Sequence, residues 1–322
     1  MSQNESADRQ DTPSVGHPLE PLTADEIKLA VHILRQQQQL PDTARFSYIA
    51  LKDPAKSTVW NHIDGKPFAR EAFCVILDRA TAQTYEAVVC LVNQEVKSYV
   101  HRPGVQSSIT LDEFAECENT IKADVKVQAA LKLRGIEDTS LIMCDPWSAG
   151  NYGYPDEEGR RLVRAMCWLK TGPKDNGYAR PIEGVVPVVD LTEMRVINVD
   201  DYGVVPLPSE DGNYAASYMK HLRTDLKPIE ITQPDGVSFK VDGHHIQWQK
   251  WSLRLGFNPR EGLVLYTVAY ADDGTVRPVL YRASLAEMVV PYADPSGNHY
   301  RKNAFDVGEY GVGMMANSLT LG

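Results

Sequence analysis

At 322 residues, with 43% hydrophobic and 24% charged residues, the chain has the composition of ordinary globular protein and length for two or three cores. Its net charge of −10 argues against nucleic acid or anionic membrane as a partner, because both need clustered Lys and Arg. Five widely spaced cysteines without a CxxC pair signal neither a zinc site nor a redox dithiol, and are expected as reduced, partly buried thiols.

Residues 1–16 are polar and lack the apolar segment of a signal peptide, so a disordered tail and a protein that is not secreted are expected. Thr23 followed by Glu26 fits a capping box, and Ile27, Ala30, Val31 and Leu34 recur at helical spacing to about Gln38. Strand-like segments follow at 44–51, 72–77, 85–92 and 95–100, joined by polar linkers that suggest antiparallel hairpins. After Arg102-Pro-Gly104 the same order begins again. Thr110 with Glu113 gives a second capping box, and helical periodicity runs without interruption through Leu111, Phe114, Ile121, Val125 and Leu131 to Gly135. Strands are expected at 141–144, 162–169 and 185–199, the last with a turn near Leu191-Thr-Glu193.

Helix then sheet, twice, predicts an α+β protein with two small units of similar plan, residues 17–104 and 105–203. Residues 204–236 hold four prolines and several glycines and read as an extended linker. From Val237 the pattern is strands only, at 246–257, 262–271, 276–283 and 288–291, with Asp272-Asp-Gly274 as a hairpin turn. Residues 237–322 read as the start of a β-sandwich. A block of Tyr, Asp, Glu and Gly follows on what otherwise reads as strands: Tyr281-Arg-Ala-Ser-Leu-Ala-Glu-Met-Val-Val-Pro-Tyr292, then Asn303-Ala-Phe-Asp306-Val-Gly-Glu-Tyr310-Gly-Val-Gly313. It reads as one wall of an active site.

These two segments, together with Trp248-Gln-Lys-Trp-Ser-Leu-Arg-Leu-Gly-Phe-Asn-Pro-Arg-Glu-Gly262, resemble the copper-containing amine oxidases, and the resemblance extends from His17 to Gly322. It implies two cystatin-like α+β domains followed by the opening strands of a large β-sandwich catalytic domain. It also implies oxidation of small primary amines by dioxygen to aldehyde, ammonia and peroxide, with copper and topaquinone as cofactors and a homodimer as the assembly. Matched motif to motif, Asp306 falls at the proton-abstracting base and Tyr292 at the tyrosine that hydrogen-bonds the quinone. Ala304 falls at the gate of the amine channel, which Tyr310 and Trp147 (in Cys-Asp-Pro-Trp) would line.

Each residue has a plainer reading beside this one. An Asp before Val-Gly is often a turn residue, Tyr292 could end a strand, Trp147 and Tyr310 could be packing aromatics, and Ala304 could simply be small. A base that takes a carbon-bound proton works best with its pKa raised by apolar surroundings, and Asp306 is flanked by Phe305 and Val307. A phenol such as Tyr292 can hold a cofactor oxygen as a directional donor.

The family's copper ligands include a His-x-His pair, which the eight histidines here do not form. His244 and His245, adjacent on a strand, would point to opposite faces and could not chelate one ion. Gly150-Asn-Tyr-Gly-Tyr154 superficially resembles the motif of the cofactor tyrosine. It has Gly153 where the family has an acid and precedes the Asp306 block, so Tyr152 is rejected as a quinone precursor. These 322 residues alone are therefore expected to bind neither cofactor and to lack oxidase activity. The other function class considered is a non-catalytic product that serves as an interaction module or pairs with longer subunits. A cytoplasmic or peroxisomal location is expected, with no membrane or nucleic-acid partner.

Overall fold

The computed structural model describes residues 16–172, 175–214, 216–286, 288–305 and 310–313. The tail expected at the N-terminus lies, apart from Gly16, outside the described residues. The architecture is mixed helix and strand, and every paired strand within the sheets is antiparallel.

The first unit packs helix α1 (Ala24–Gln37) on a sheet of β1 (Ala44–Leu51), β2 (Glu71–Asp78), β3 (Gln83–Cys90) and β4 (Glu95–His101), in sequence order. A five-residue helix α2 (Lys56–Trp60) between β1 and β2 has no sequence counterpart in the periodicity. Ala30, Ile33 and Leu34 share one face of α1, as spacing of three and four residues requires, and close on Ala72, Cys74, Ile76, Ala87 and Val89 of the sheet. The second unit has helices α3 (Leu111–Ala123) and α4 (Val125–Leu133) over β5 (Ile142–Ser148), β6 (Leu162–Leu169), β7 (Val185–Asp190) and β8 (Arg195–Asp201).

The uninterrupted helix expected from Leu111 to Gly135 is a correction. Asp124 is extended (φ −74°, ψ 128°), and its carboxylate accepts from the backbone N–H groups of Lys126 and Val127, so it ends one helix and caps the next. An N-cap acid that satisfies orphan donors offsets the lost helical turn.

The two units share more than a pattern of elements. In the first, the capping-box carboxylate of Glu26 receives Nε and Nη2 of Arg70, at 2.6 and 2.9 Å, while Arg70 also donates to the carbonyls of Glu20 and Pro21. In the second, Glu113 of the Thr110 capping box receives Nε and Nη2 of Arg161, at 3.0 and 2.8 Å, and Arg161 donates to the carbonyls of Ser107 and Ser108. Each arginine immediately precedes the second strand of its sheet. Each has its own carbonyl bonded by a leucine N–H, Leu91 and Leu191 respectively. A buried charge needs this density of partners, and the same solution appears twice at equivalent places.

All five cysteines are buried and free, and Cys144 faces Cys167 across the β5–β6 ladder with 3.5 Å between sulfurs. Burial pushes the thiols of Cys74 and Cys117 up to about 12, away from the thiolate form that reacts.

Among the described residues, 204–236 contain no helix or strand. The third sheet then runs in the order β13-β12-β11-β10-β9, with β9 (Phe239–Asp242), β10 (His245–Trp248), β11 (Trp251–Asn258), β12 (Gly262–Asp272) and β13 (Thr275–Ser284). The single strand expected over 246–257 is two strands. Gln249, at φ 53°, turns the chain, so that Trp248 lies opposite Trp251. Neither Gln249 nor Lys250 is a usual two-residue turn former, so the run of strand-favouring residues conceals the hairpin.

The third sheet is joined to the first unit by Asp53, which accepts from the Tyr266 hydroxyl at 2.8 Å and from Arg282 Nε at 2.7 Å. Arg282 also binds Glu261, which takes further hydrogen bonds from Ser284 and Asn258. The Arg282 guanidinium first of all, then the Ser284 and Asn258 bonds, hold the Glu261 carboxyl at about 2 against an ordinary 4.5. A folded-state value below the unfolded one means that this stabilisation is fully present above about pH 4.5 and is lost as pH falls towards 2. Urea midpoints measured between pH 5 and pH 2 should therefore fall more steeply for the wild type than for Glu261→Gln. Parallel curves would show that the carboxylate contributes nothing.

Candidate functional site

The second sheet supplies the floor of the site. Along β5, Ile142, Cys144 and Pro146 point into the core, so Met143, Asp145 and Trp147 share the opposite face. The segment 292–302 lies over that face. It leaves β14 (Val289–Pro291) and returns as β15 (Asn303–Phe305), with which β14 pairs antiparallel.

The segment is tied down at two places. Asn298, buried, accepts from the Gly184 N–H at 2.5 Å and donates to the Ile182 carbonyl at 3.4 Å. Gly184 has φ +77°, and a Cβ there would stand 2.1 Å from the Gly203 carbonyl oxygen, so only glycine can present its N–H in this way. Arg301 donates to the Tyr154 hydroxyl at 2.8 Å and to Asp200 at 3.4 Å.

These anchors bring two of the predicted residues into direct contact. The rings of Trp147 and Tyr292 meet edge to face at 5.8 Å and 73°. The His299 ring stacks on Tyr292 at 6.2 Å, and the Tyr292 N–H donates to the Lys302 carbonyl at 3.3 Å. Tyr292 is 46% exposed, and its hydroxyl makes no hydrogen bond to a described residue. It is therefore an oriented phenol that can donate to a group outside the described residues.

Ala304 sits in β15 opposite Val290, two residues before Tyr292 on the paired strand. Tyr310 packs edge to face on Phe114 of α3, at 5.0 Å. Its phenol is near enough to Tyr178 to add to the rise of that group's pKa. Asp306 lies outside the described residues.

Sequence reasoning missed Asp145, Tyr178 and Lys302. Tyr178 donates its hydroxyl proton to Asp145 at 2.9 Å and packs on Trp168 at 5.2 Å. Burial, followed by the Asp145 charge and the bond to it, pushes the Tyr178 phenol up to about 12. Burial also raises the Asp145 carboxyl above its ordinary range, opposed by the Tyr178 bond; Glu118 adds to the rise and the Lys302 ammonium opposes it. Asp145 stands in the quoted Cys-Asp-Pro-Trp motif, and its spacing of two from Trp147 on a strand was the available signal.

Tyr152 and the two adjacent histidines have other partners. Tyr152 donates to the Arg301 carbonyl at 3.1 Å. His245 bonds Ser252 at 2.8 Å, while His244 turns to Glu20 at 3.8 Å, so the adjacent imidazoles diverge.

The chain thus builds an aromatic wall from a helix-on-sheet unit and the return segment of a strand-rich region. Three family profiles match it in order: the AGAO-like N2 domain over residues 23–99, the copper amine oxidase N3 domain over 112–217, and the copper amine oxidase enzyme domain over 240–322. The chain belongs to the copper amine oxidase family, as its N2, N3 and enzyme-domain sequences show.

It is 46% identical to a primary amine oxidase of Arthrobacter sp. (strain P1) over 96% of this chain and 47% of that protein. It is 40% identical to a histamine oxidase of Arthrobacter globiformis, over 95% and 45%. It is 39% identical to a peroxisomal N-methylputrescine oxidase of Nicotiana tabacum, over 95% and 44%. Among solved structures, a copper-containing benzylamine oxidase from Hansenula polymorpha superposes with a TM-score of 0.77 at 27% identity, covering 95% of this chain and 50% of that one. The chain thus spans about half the length of the relatives it matches. The reading as a non-catalytic module is not favoured by these relatives.

The family uses copper and topaquinone. Among the described residues no group of three or more His, Cys, Asp or Glu converges as a metal ion would require, so these residues do not fit the copper. The Tyr292 hydroxyl, a directional donor, does fit a hydrogen bond to a quinone oxygen. No helix among the described residues is long and apolar enough to cross a membrane.

Proposed function

We propose that the chain forms the amine-receiving part of a primary-amine oxidase. In the whole protein a primary amine, dioxygen and water become aldehyde, ammonia and hydrogen peroxide. The observation that carries this reading is the contact between Trp147 and Tyr292, two residues remote in sequence that converge. Tyr292 orients the quinone through its hydroxyl, and the quinone supplies the carbonyl that takes up the amine. Trp147 and Tyr310 line the channel, Ala304 leaves its gate wide, and Asp306 accepts the proton lost from the amine's α-carbon.

The scaffold is two cystatin-like α+β domains, residues 17–104 and 105–203, a linker over 204–236, and the opening of the β-sandwich enzyme domain from 237 to 322. Two copies pair as a homodimer in the cytoplasm or the peroxisome. The protein acts on small molecules, without a nucleic-acid or membrane partner.

Residues 1–322 supply one wall only. The chain continued through the remainder of an enzyme domain, loaded with copper, is expected to release peroxide from benzylamine or methylamine, and residues 1–322 with copper are not. Peroxide from residues 1–322 would show that the site is complete without further residues. Silence of the continued, copper-loaded chain towards both amines would remove the oxidase reading.

A further inference from the structure

Lys302 lies between the two aromatic rings of the site. Its Nζ is 4.0 Å from the centroid of Trp147 and 4.3 Å from that of Tyr292. Both distances are inside the roughly 6 Å over which a ring quadrupole attracts a cation, and the indole is the strongest of the aromatic partners. Two rings set edge to face around one ammonium form a partial aromatic cage.

The charge around this notch has the matching sign. Asp145 stands on the same face of β5 as Trp147, close enough for the Lys302 ammonium to draw its carboxyl down against burial. The adjacent cation, Arg301, is directed elsewhere: its guanidinium lies over the Tyr154 and Tyr300 rings and reaches Asp200. The cation in the notch is thus a –CH2–NH3+ group at the end of an alkyl chain. In chemical class it is a protonated primary alkylamine, as a small amine substrate is at neutral pH.

We propose that the Trp147–Tyr292 notch is a subsite for primary alkylammonium ions and that Lys302 is its resident occupant, which an arriving amine displaces. Lys302 is then a specificity-determining residue. It sets the affinity that an amine must exceed to reach Tyr292, and its unbranched stem lets the ammonium swing out to solvent. Two ammonium ions cannot share the notch without like-charge repulsion, so occupancy is exclusive. The identity of the natural ligand rests on the amine-oxidase reading, but the notch itself does not.

The test is binding to the full chain, with n-butylammonium chloride as the probe and the heat of titration as the signal, at constant ionic strength. Removal of the resident cation in Lys302→Met should tighten binding about tenfold, within the roughly 2- to 30-fold span that such interactions cover. Lys302→Arg, which keeps a cation over the rings, should stay much closer to the wild type than to Lys302→Met. Adding Trp147→Leu to Lys302→Met should abolish the saturable signal. If Lys302→Met does not fold, as judged by circular dichroism, Lys302→Gln asks the same question. Equal affinities in the wild type and the neutral variant, or a signal that survives loss of Trp147, would overturn the proposal. Neither result depends on turnover, so failure here leaves the oxidase reading standing, and silence of the continued chain towards amines leaves the notch standing.

Discussion

Glu113→Ala is expected to destabilise the second helix–sheet unit by about 3 kcal/mol, the lower end of the range for removing one partner of a buried ion pair. Glu113 is 1% exposed and Arg161 4%, so the arginine left behind cannot recover its hydration. It would keep the carbonyls of Ser107 and Ser108, which is why the loss should fall at the lower end. The capping box at Thr110 would be lost at the same time, because the Thr110 N–H donates to Glu113 at 2.8 Å. The contrast is Glu193→Ala. That carboxylate pairs with Arg195 at the surface, where such pairs contribute less than about 1 kcal/mol. Urea denaturation followed by the second unit's tryptophans would compare the two. A loss for Glu113→Ala no greater than for Glu193→Ala would mean that the buried pair contributes nothing to stability. The double variant Glu113→Leu, Arg161→Met should be less destabilised than either single variant, since the cost lies in the charge left unpaired.

This pair also marks the limit of what was legible in the sequence. Both capping boxes could be read because a Thr and a Glu three residues apart satisfy each other locally. The arginines could not: Arg70 and Arg161 reach Glu26 and Glu113 only through the fold, and a lone Arg before a strand carries no local sign of that. Asp124 broke a helix that apolar spacing continued straight through, because periodicity records faces and not caps. In the site, Trp147 and Tyr292 could be paired only through family resemblance, since no local rule links a β5 residue to the segment after β14. Lys302 was invisible for the opposite reason. A lysine near a turn ordinarily reads as solvated surface, and only the placement of both rings around its ammonium gives it another meaning.

On the proposed oxidase reading, Asp306→Asn in the whole protein should lower kcat for benzylamine by on the order of 10²- to 10⁴-fold, the contribution of a positioned general base. The amide keeps the shape of the carboxylate but cannot take a proton from carbon. Tyr292→Phe should act differently. It keeps the ring that packs on Trp147 and loses only the hydroxyl, so the loss should be about one bond's worth, on the order of 10-fold. Peroxide release as a function of amine concentration would separate the two, and thermal melts would show whether either variant has lost its fold. The decisive comparison is with Asp145→Asn. Asp145 is an acid beside the aromatic wall, raised by burial and held by Tyr178. If it only supports the aromatic wall, its loss should raise KM with little change in kcat. A collapse of kcat in Asp145→Asn, with Asp306→Asn within tenfold of wild type, would move the base from the segment after β15 to β5.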